Sequence, residues 1–253
     1  MFEKNKIILN YQRAFRAKDR KAKSFYELLC QEIIDRSKIL EKPEGCFLEI
    51  GARNDLLYDK FEFYNMEKNL FQTIQSSKIS INNRNRLISD IHENPFKKKL
   101  FDFCFNILSL NTTEKVVDAY KEVYSLLKKN GKFISILPAE ETLKEFKQIF
   151  YAAFPSYNSF TPVIKMVDLG KIGGTAGFKN IVIDKSQFKL KIKHPHNLWF
   201  FIRNLGESNC QEDRKNNSFK KKQYTQLCKM INNKIIEKNL NVDISVNFFI
   251  GEK

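Results

Sequence analysis

The chain has 253 residues, 42% hydrophobic and 29% charged, enough for one large domain or two small ones and ordinary for a soluble globular protein. No apolar run approaches the roughly 18 residues that span a bilayer, and the start MFEKNKIILNYQRAF lacks a signal-peptide core and cleavage site, so a cytoplasmic protein without a transmembrane segment is expected. The net charge is +15, but 35 of the 44 cations are Lys and nine are Arg, in a chain also rich in Asn, Ile and Phe. AT-rich coding would give the same bias as a selected basic face, so nucleic acid is not the expected partner, and a non-catalytic basic domain that binds RNA or an acidic protein is a further alternative.

In chain order, residues 1–40 read as a basic N-terminal arm and helix, and residues 41–253 as one domain. The arm is basic from Lys4 to Lys23, and residues 22–39 place Phe25, Leu28, Leu29, Ile33 and Ile34 at helical spacing. After the breaker KPEG, the apolar run CFLEI and Gly51 predict a buried strand feeding a tight turn. FEFYNM (61–66) then predicts a strand and EKNLFQTIQSSK a helix. RLISD (86–90) and LFDFCFNILSL (100–110) predict two further strands. The stripe Val116, Val117, Tyr120, Val123, Tyr124, Leu127 predicts a helix over 113–129, capped by Asn130-Gly131, with KFISIL as the next strand. A helix ending at glycines (163–178), a long alternating strand (NIVIDKSQFKLKIKH), helices near 196–205 and 218–238, and a last strand VDISVNFFIGEK complete the chain. Apolar strands alternating with helices imply an α/β domain, doubly wound, with a mostly parallel sheet of about seven strands and a terminal antiparallel one.

The five cysteines, Cys30, Cys46, Cys104, Cys210 and Cys228, form no CxxC pair and read as reduced thiols, neither a disulfide framework nor a zinc site. His92, His194 and His196 are the only histidines, and HPH reads as a solvent-facing turn, so no metal site is expected. The second basic cluster, RKNNSFKKK (214–222), reads as a solvated segment.

In an open α/β sheet, ligands lie beyond the carboxyl ends of the strands at the topological switch point. The turn after FLEI is Gly51-Ala52-Arg53-Asn54-Asp55, where a GxGxG cradle would carry glycines at 53 and 55. Glu49 at the strand end can receive an amino group. Asn65, with Glu67 beside it, stands where such folds hold a ribose, and Asp90 stands where an adenine amine would be bound. Acceptors at three successive strand ends describe a nucleoside carrying an amino acid, which is S-adenosylmethionine.

With these residues in place the chain resembles the class I methyltransferases. The stretch LFDFCFNILSLNTTEKVVDAYKEVYSLLKKNGKFISILPAEETLKEF is similar to the fourth-to-fifth-strand region of one subfamily. That subfamily joins the malonyl-carrier-protein O-methyltransferase of biotin synthesis with the mitochondrial complex I assembly factor of methyltransferase fold. SFTPVIKMVDLGKIGGTAGF followed by FFIRNLGESNC (200–210) resembles the assembly-factor branch, whose GESN segment follows a short helix. The resemblance implies a Rossmann-like class I methyltransferase fold and S-adenosylmethionine as cofactor. Carried over by position, it places Glu49, Gly51, Ala52, Arg53, Asn65, Met66, Asp90, Ile91, Asn106 and Leu108 around the cofactor. It places Arg203 and Gly206-Glu207-Ser208-Asn209 at the substrate, which would be a protein side chain or a carboxyl group on an acyl carrier protein. The assembly-factor branch is understood to hydroxylate an arginine of a partner subunit.

The chain departs from the family pattern at two points. Asn111-Thr112 stands where relatives often carry His-Trp. Arg53 and Asp55 replace glycines, at an expected strain of about 1–2 kcal/mol for each residue forced left-handed. Arg53 would pair with the methionine carboxylate and Asp55 would repel it, so weakened cofactor binding is expected. Methyl transfer from a sulfonium needs alignment more than an acid or base, and no dedicated catalytic residue is assigned.

Overall fold

A computed structural model describes residues 1–76, 85–155, 160–192, 194–214, 221–238 and 241–253. The elements in chain order are α1 (Lys4–Phe15), α2 (Arg20–Ser37), β1 (Phe47–Ile50), α3 (Leu56–Phe63), β2 (Leu70–Ile74), β3 (Arg86–Ile88), β4 (Phe101–Ile107) and α4 (Val116–Leu126). β5 (Leu127–Pro138), α5 (Lys144–Ala153), α6 (Met166–Ala176), β6 (Lys179–Lys191), α7 (Pro195–Asn204), α8 (Lys221–Lys238) and β7 (Asn241–Glu252) follow. The strands form one seven-stranded sheet in the order β3-β2-β1-β4-β5-β7-β6. β1 to β5 run parallel, and β7 lies antiparallel between β5 and β6. This is the expected mostly parallel Rossmann-like sheet with an antiparallel last strand.

Two apolar layers sandwich the sheet. On one face Phe25 and Ile33 of α2, Phe61 of α3, Phe150 of α5, Phe201 of α7 and Leu227 of α8 share a core with Phe47 and Phe105. On the other face Tyr120 and Val123 of α4 and Leu169 of α6 pack on Leu48, Phe133 and Phe249. Burial on both faces explains why the strands read as continuous apolar runs. The division expected at residues 40 and 41 falls in the 3₁₀ turn Ile39–Glu41 that leads from α2 to β1.

Three local expectations are corrected. Residues expected as a strand (61–66) lie in α3 and the turn after it: Leu57 and Phe61, one helical turn apart, are its buried positions, and Phe63 is 79% exposed. The expected helix EKNLFQTIQSSK is a 3₁₀ turn at Glu67–Asn69 followed by β2, with residues 77 and 78 outside the described part. Gln72 broke the strand signal there, although it is buried, because its amide is used inside the sheet. The helix expected to reach residue 129 stops at Leu126; the chain turns extended at Leu127, and Asn130 (φ 63°) lies within β5. Helix α5 was not anticipated. The glycine end of α6 is as expected: Gly177 has φ 102° and the Phe178 N–H donates to the Gly173 carbonyl, closing the helix.

Candidate functional site

β1 is followed in space by β2 on one side and β4 on the other, so the switch point lies between the carboxyl ends of β1 and β4. Gly51 opens the turn with φ 67°. A Cβ there would stand 2.8 Å from the Ser109 Cβ and 3.0 Å from the Tyr11 hydroxyl, so only glycine is tolerated. Its N–H donates to Thr73 Oγ1 at 2.8 Å, and the Ala52 N–H donates to the Thr73 carbonyl at 2.7 Å, tying the turn to β2.

Arg53 and Asp55 do not have left-handed backbones: Asp55 has φ −96°, and Arg53 is not among the positive-φ residues. The strain expected from the missing glycines is therefore absent. It appears instead at Leu108, just past β4, which is a non-glycine residue at φ 56°.

Arg53 is the largest fully buried side chain of the turn, 1% exposed. Its guanidinium donates to the Leu205 carbonyl at 3.0 Å, to the Leu108 carbonyl, and to Glu207 in an ion pair, and it lies 4.7 Å from the centre of the Tyr11 ring. Burial works against its charge, but the Glu207 carboxylate together with Tyr11 and Tyr26 outweighs it and raises its pKa. One donor, Nε, is buried without a partner. Glu207 uses its second oxygen to accept from Asn111 Nδ2 at 2.9 Å. The pair therefore joins the turn after β1 to the segment after α7.

Glu49, also buried, accepts from Gln72 Nε2 at 2.5 Å, and Gln72 in turn accepts from Arg86 Nε at 2.8 Å. Burial pushes the Glu49 carboxyl up to about 7, against the Gln72 hydrogen bond and the nearby Arg86. Arg86 also pairs with Asp55. The charge that was expected to repel a cofactor carboxylate is thus neutralised within the protein.

Among the other expected cofactor residues, Ala52 is buried under α1, Asp90 caps the 3₁₀ turn after β3 by accepting from the His92 N–H at 3.0 Å, and Ile91 is buried. Asn106 Oδ1 accepts from the Ser109 and Leu110 N–H groups, fixing the turn that ends at Leu108-Ser109. These residues gather at the carboxyl end of the sheet. Asn65 and Met66 do not. They precede β2 and lie at its amino end, the opposite edge of the sheet, as does Glu67. The error followed from reading α3 as the strand; the residues beyond β2 are Gln75 and Ser76, neither of them acidic.

Helix α1 closes the site from above. Ile7, Tyr11 and Phe15, spaced four apart, pack with Ala52 and Ile74, and Gln12 Nε2 donates to Ser76 Oγ at 2.8 Å. Gly206, at φ 75°, lets α1 approach: a Cβ there would stand 2.8 Å from the Asn10 carbonyl oxygen. Asn10 Nδ2 donates to the Ser208 carbonyl at 2.6 Å.

Beyond β4 and β5 lies a cavity of about 170 Å³ whose walls include Phe160, Trp199, Phe201 and Ile202. Its polar edge is Asn111, Glu207, Ser208 and Asn209, with Lys147 at another point of the wall. Glu207, Ser208 and Asn209, expected at the substrate, therefore line this cavity. Arg203 does not; it is exposed on the outer side of α7, in a groove with Arg13 and Arg16. Tyr11, Thr73, Arg86 and Asn111 complete the site without having been assigned to it from the sequence. Only Asn111 carried a signal, its departure from the family pattern.

Among the described residues no group of three or more His, Cys, Asp or Glu is arranged to hold a metal ion, and no helix is long and apolar enough to cross a membrane. His194 Nδ1 accepts from the His196 N–H at 3.1 Å and caps α7. In the basic cluster 214–222, residues 215–220 lie outside the described residues.

Solved structures with the same arrangement of elements include the YcgJ protein of Bacillus subtilis (TM-score 0.52, 14% identity, 83% of this chain and 92% of that one). A Bacillus halodurans protein provisionally described as a methyltransferase superposes with a TM-score of 0.54 at 12% identity, over 86% of this chain and 97% of that one. The family described as "Methyltransferase domain" matches residues 68–135. The fold is that of a class I methyltransferase. Among curated proteins, this methyltransferase-fold chain is 26% identical over 210 residues to "Arginine-hydroxylase NDUFAF5, mitochondrial" of Danio rerio, covering 76% of this chain and 64% of the relative. The human protein of the same name is 29% identical over 126 residues, 48% of this chain and 36% of the relative. A Rickettsia prowazekii protein provisionally named a methyltransferase is 24% identical over 211 residues, 81% of this chain and 92% of that one. The chain thus spans less than two thirds of the arginine-hydroxylase relatives named here.

These likenesses support S-adenosylmethionine as the cofactor, and the residues fit its amino-acid end. A buried carboxylate at Glu49 and a buried, unpartnered donor at Arg53 Nε are the two groups that an α-ammonium and an α-carboxylate require.

Proposed function

We propose that this protein is an S-adenosylmethionine-dependent enzyme whose acceptor is a nitrogen-bearing side chain of a partner protein, in the manner of an assembly factor. The observation that carries the reading is the buried Oδ1 of Asn111. The Glu207 carboxylate can only accept, so Asn111 must turn its amide nitrogen toward Glu207 and its oxygen away. That oxygen is buried, lies on a cavity-lining residue and has no partner. A buried acceptor left unpaired costs about 1–3 kcal/mol, and a ligand N–H would relieve it. The aromatic wall suits the alkyl stem of a long side chain.

When bound, S-adenosylmethionine supplies a methyl group activated on a sulfonium. Glu49 and Arg53 Nε would hold the two charged groups of its amino-acid portion, and Asp90 the adenine amine. Gln75 and Ser76, beyond the end of β2, would meet the ribose. α1, with Tyr11 over Arg53, excludes water from the turn, and Asn111 orients the acceptor nitrogen. The relatives named arginine hydroxylases support a protein side chain as acceptor. A carboxyl group on a carrier-bound acyl chain is the second reading, favoured by Lys147 on the cavity wall, whose charge burial disfavours unless an anion joins it. The compartment we propose is reducing and aqueous, the cytoplasm or the mitochondrial interior, given five free cysteines and the names of the vertebrate relatives.

Calorimetric titration with S-adenosylmethionine tests the cofactor, with Glu49→Ala and Asp90→Ala expected to weaken binding. No heat at millimolar ligand with the wild type would sink the assignment. Mass spectrometry of candidate partners then separates an added methylene from an added oxygen, and complementation of a biotin-synthesis deletion tests the carboxyl reading.

A further inference from the structure

The outer side of the α1–α7 pair carries a groove lined by Leu9, Gln12, Arg13, Arg16, Phe200 and Arg203. Its arginines are unusual for this chain. Four cations in five are Lys, and among the nine arginines Arg36, Arg53, Arg86 and Arg214 are held in ion pairs. Arg13, Arg16 and Arg203 converge on this groove with no ion-pair partner among the described residues. Burial and the neighbouring Arg203 both lower the Arg13 pKa, as expected where like charges meet without a counter-ion. Beside them stand two large apolar side chains, Leu9 at 44% and Phe200 at 47% exposure.

We propose that this groove docks an acidic segment of a partner protein, one that carries carboxylates for the three guanidinium groups and an apolar residue for Leu9 and Phe200. The guanidinium fork matches a carboxylate in two hydrogen bonds where an ammonium offers a point charge, so the arginines give register as well as attraction. Cations continue past α1 at Lys18, Arg20, Lys21 and Lys23, so the apolar pair and not the extent of charge chooses the partner. A phosphate backbone offers no apolar side chain to Leu9 and Phe200, whereas a peptide presents carboxylates and an apolar residue together, so a short acidic peptide is the better match. The inner faces of the same helices enclose the site: α1 places Tyr11 over Arg53, and α7 leads into Leu205 and Glu207, which hold it. A partner seated here is next to the cavity. The inference rests on the reading that the acceptor belongs to a protein, but its test requires neither cofactor nor turnover.

Fluorescence anisotropy is measured on the full chain without cofactor, at about 0.15 M salt. The probe is a labelled peptide of glutamates with two leucines one helical turn apart; its glutamine counterpart and a single-stranded oligonucleotide serve as comparison arms. The wild type is expected to bind the acidic peptide. The R13Q/R16Q/R203Q variant should lose about tenfold or more in affinity, Phe200→Ser should also weaken binding, and Lys97, Lys98 and Lys99 changed together to Gln should leave it unchanged. Arg16→Gln alone, at an exposed position, should show part of the loss with an unaltered melting temperature. Equal loss in the lysine variant would reduce the effect to net charge and overturn the proposal. So would tighter, arginine-dependent binding of the oligonucleotide, or no binding of the acidic peptide by the folded wild type.

Discussion

Arg53 and Glu207, 154 residues apart in the chain, form one buried ion pair that fixes the turn after β1 to the segment after α7. The position that a cofactor cradle leaves empty for glycine is here a structural member, and the segment facing the acceptor cavity is its counterpart. Removing one partner strands the other charge in the interior, which costs on the order of 3–5 kcal/mol, whereas removing both can be nearly neutral. Arg53→Met is therefore expected to destabilise the protein by several kcal/mol, and the Arg53→Met, Glu207→Leu double variant by much less. Urea unfolding of the four proteins in the cycle measures the coupling; additive losses would mean that the pair is not a unit.

Restoring the family's second substituted glycine should not help. Asp55 has an ordinary backbone conformation, so Asp55→Gly relieves no strain, adds unfolded-chain entropy and leaves Arg86, 1% exposed, without its carboxylate. A loss of about 2–4 kcal/mol is expected. Gly51→Ala, at φ 67° and with Ser109 at 2.8 Å, should also destabilise and should abolish cofactor binding. Thermal melting and S-adenosylmethionine titration read both.

Glu49 makes stability depend on pH. Burial disfavours the anion and pushes its carboxyl from the ordinary 4.5 up to about 7 in the fold. Below pH 4.5 the folded and unfolded chains both hold the proton and nothing is lost; as pH rises through 7 the folded state must carry a buried charge. The cost is fully present above pH 7, on the order of 3 kcal/mol. Glu49→Gln should therefore be more stable than wild type at about pH 8 and indistinguishable at about pH 4. Cofactor affinity should show the converse: the anion receives the ammonium, so wild-type affinity rises across the same range and the Gln variant loses that rise. Denaturation and calorimetry at the two pH values check both.

Access to the turn requires α1 to move. Tyr11 and Phe15 pack with Ala52 and Ile74 over the strand ends, and the helix is tethered by Gln12 to Ser76 and Asn10 to Ser208. Phe15→Ser should raise amide hydrogen exchange within α1 while leaving the exchange of β4 and β5 unchanged, and should speed cofactor association. An unchanged association rate would show that the ligand enters by another route.

Much of the sheet was legible because its strands are apolar on both faces, and the carboxyl-end positions Glu49, Gly51 and Asp90 followed from strand order alone. The misreading of α3 and β2 has a specific origin: Gln72 is polar, yet it is buried because Glu49 and Arg86 use its amide, and no periodicity reveals such a partner. The same holds for Arg53. Its sequence position marks a missing glycine, while its role depends on Leu205 and Glu207, Leu108 and Tyr11, contributed by three distant stretches. Tyr11 was hidden in a segment whose charge masked the stripe Ile7, Tyr11, Phe15.

The place of β7 has a consequence for synthesis. It leaves the ribosome after β1 to β6, and among the described strands it alone pairs with β6, an edge strand, joining it to β5. Until residues 241–252 emerge, the edge of β5 is bare and the thirteen residues of β6 have no ladder to join. The nascent chain can assemble β1 to β5 and the cofactor turn early, yet it carries an open strand edge until β7 has emerged. A chain shortened within β7 should be recovered from cells as aggregate, although every residue of the turn is intact.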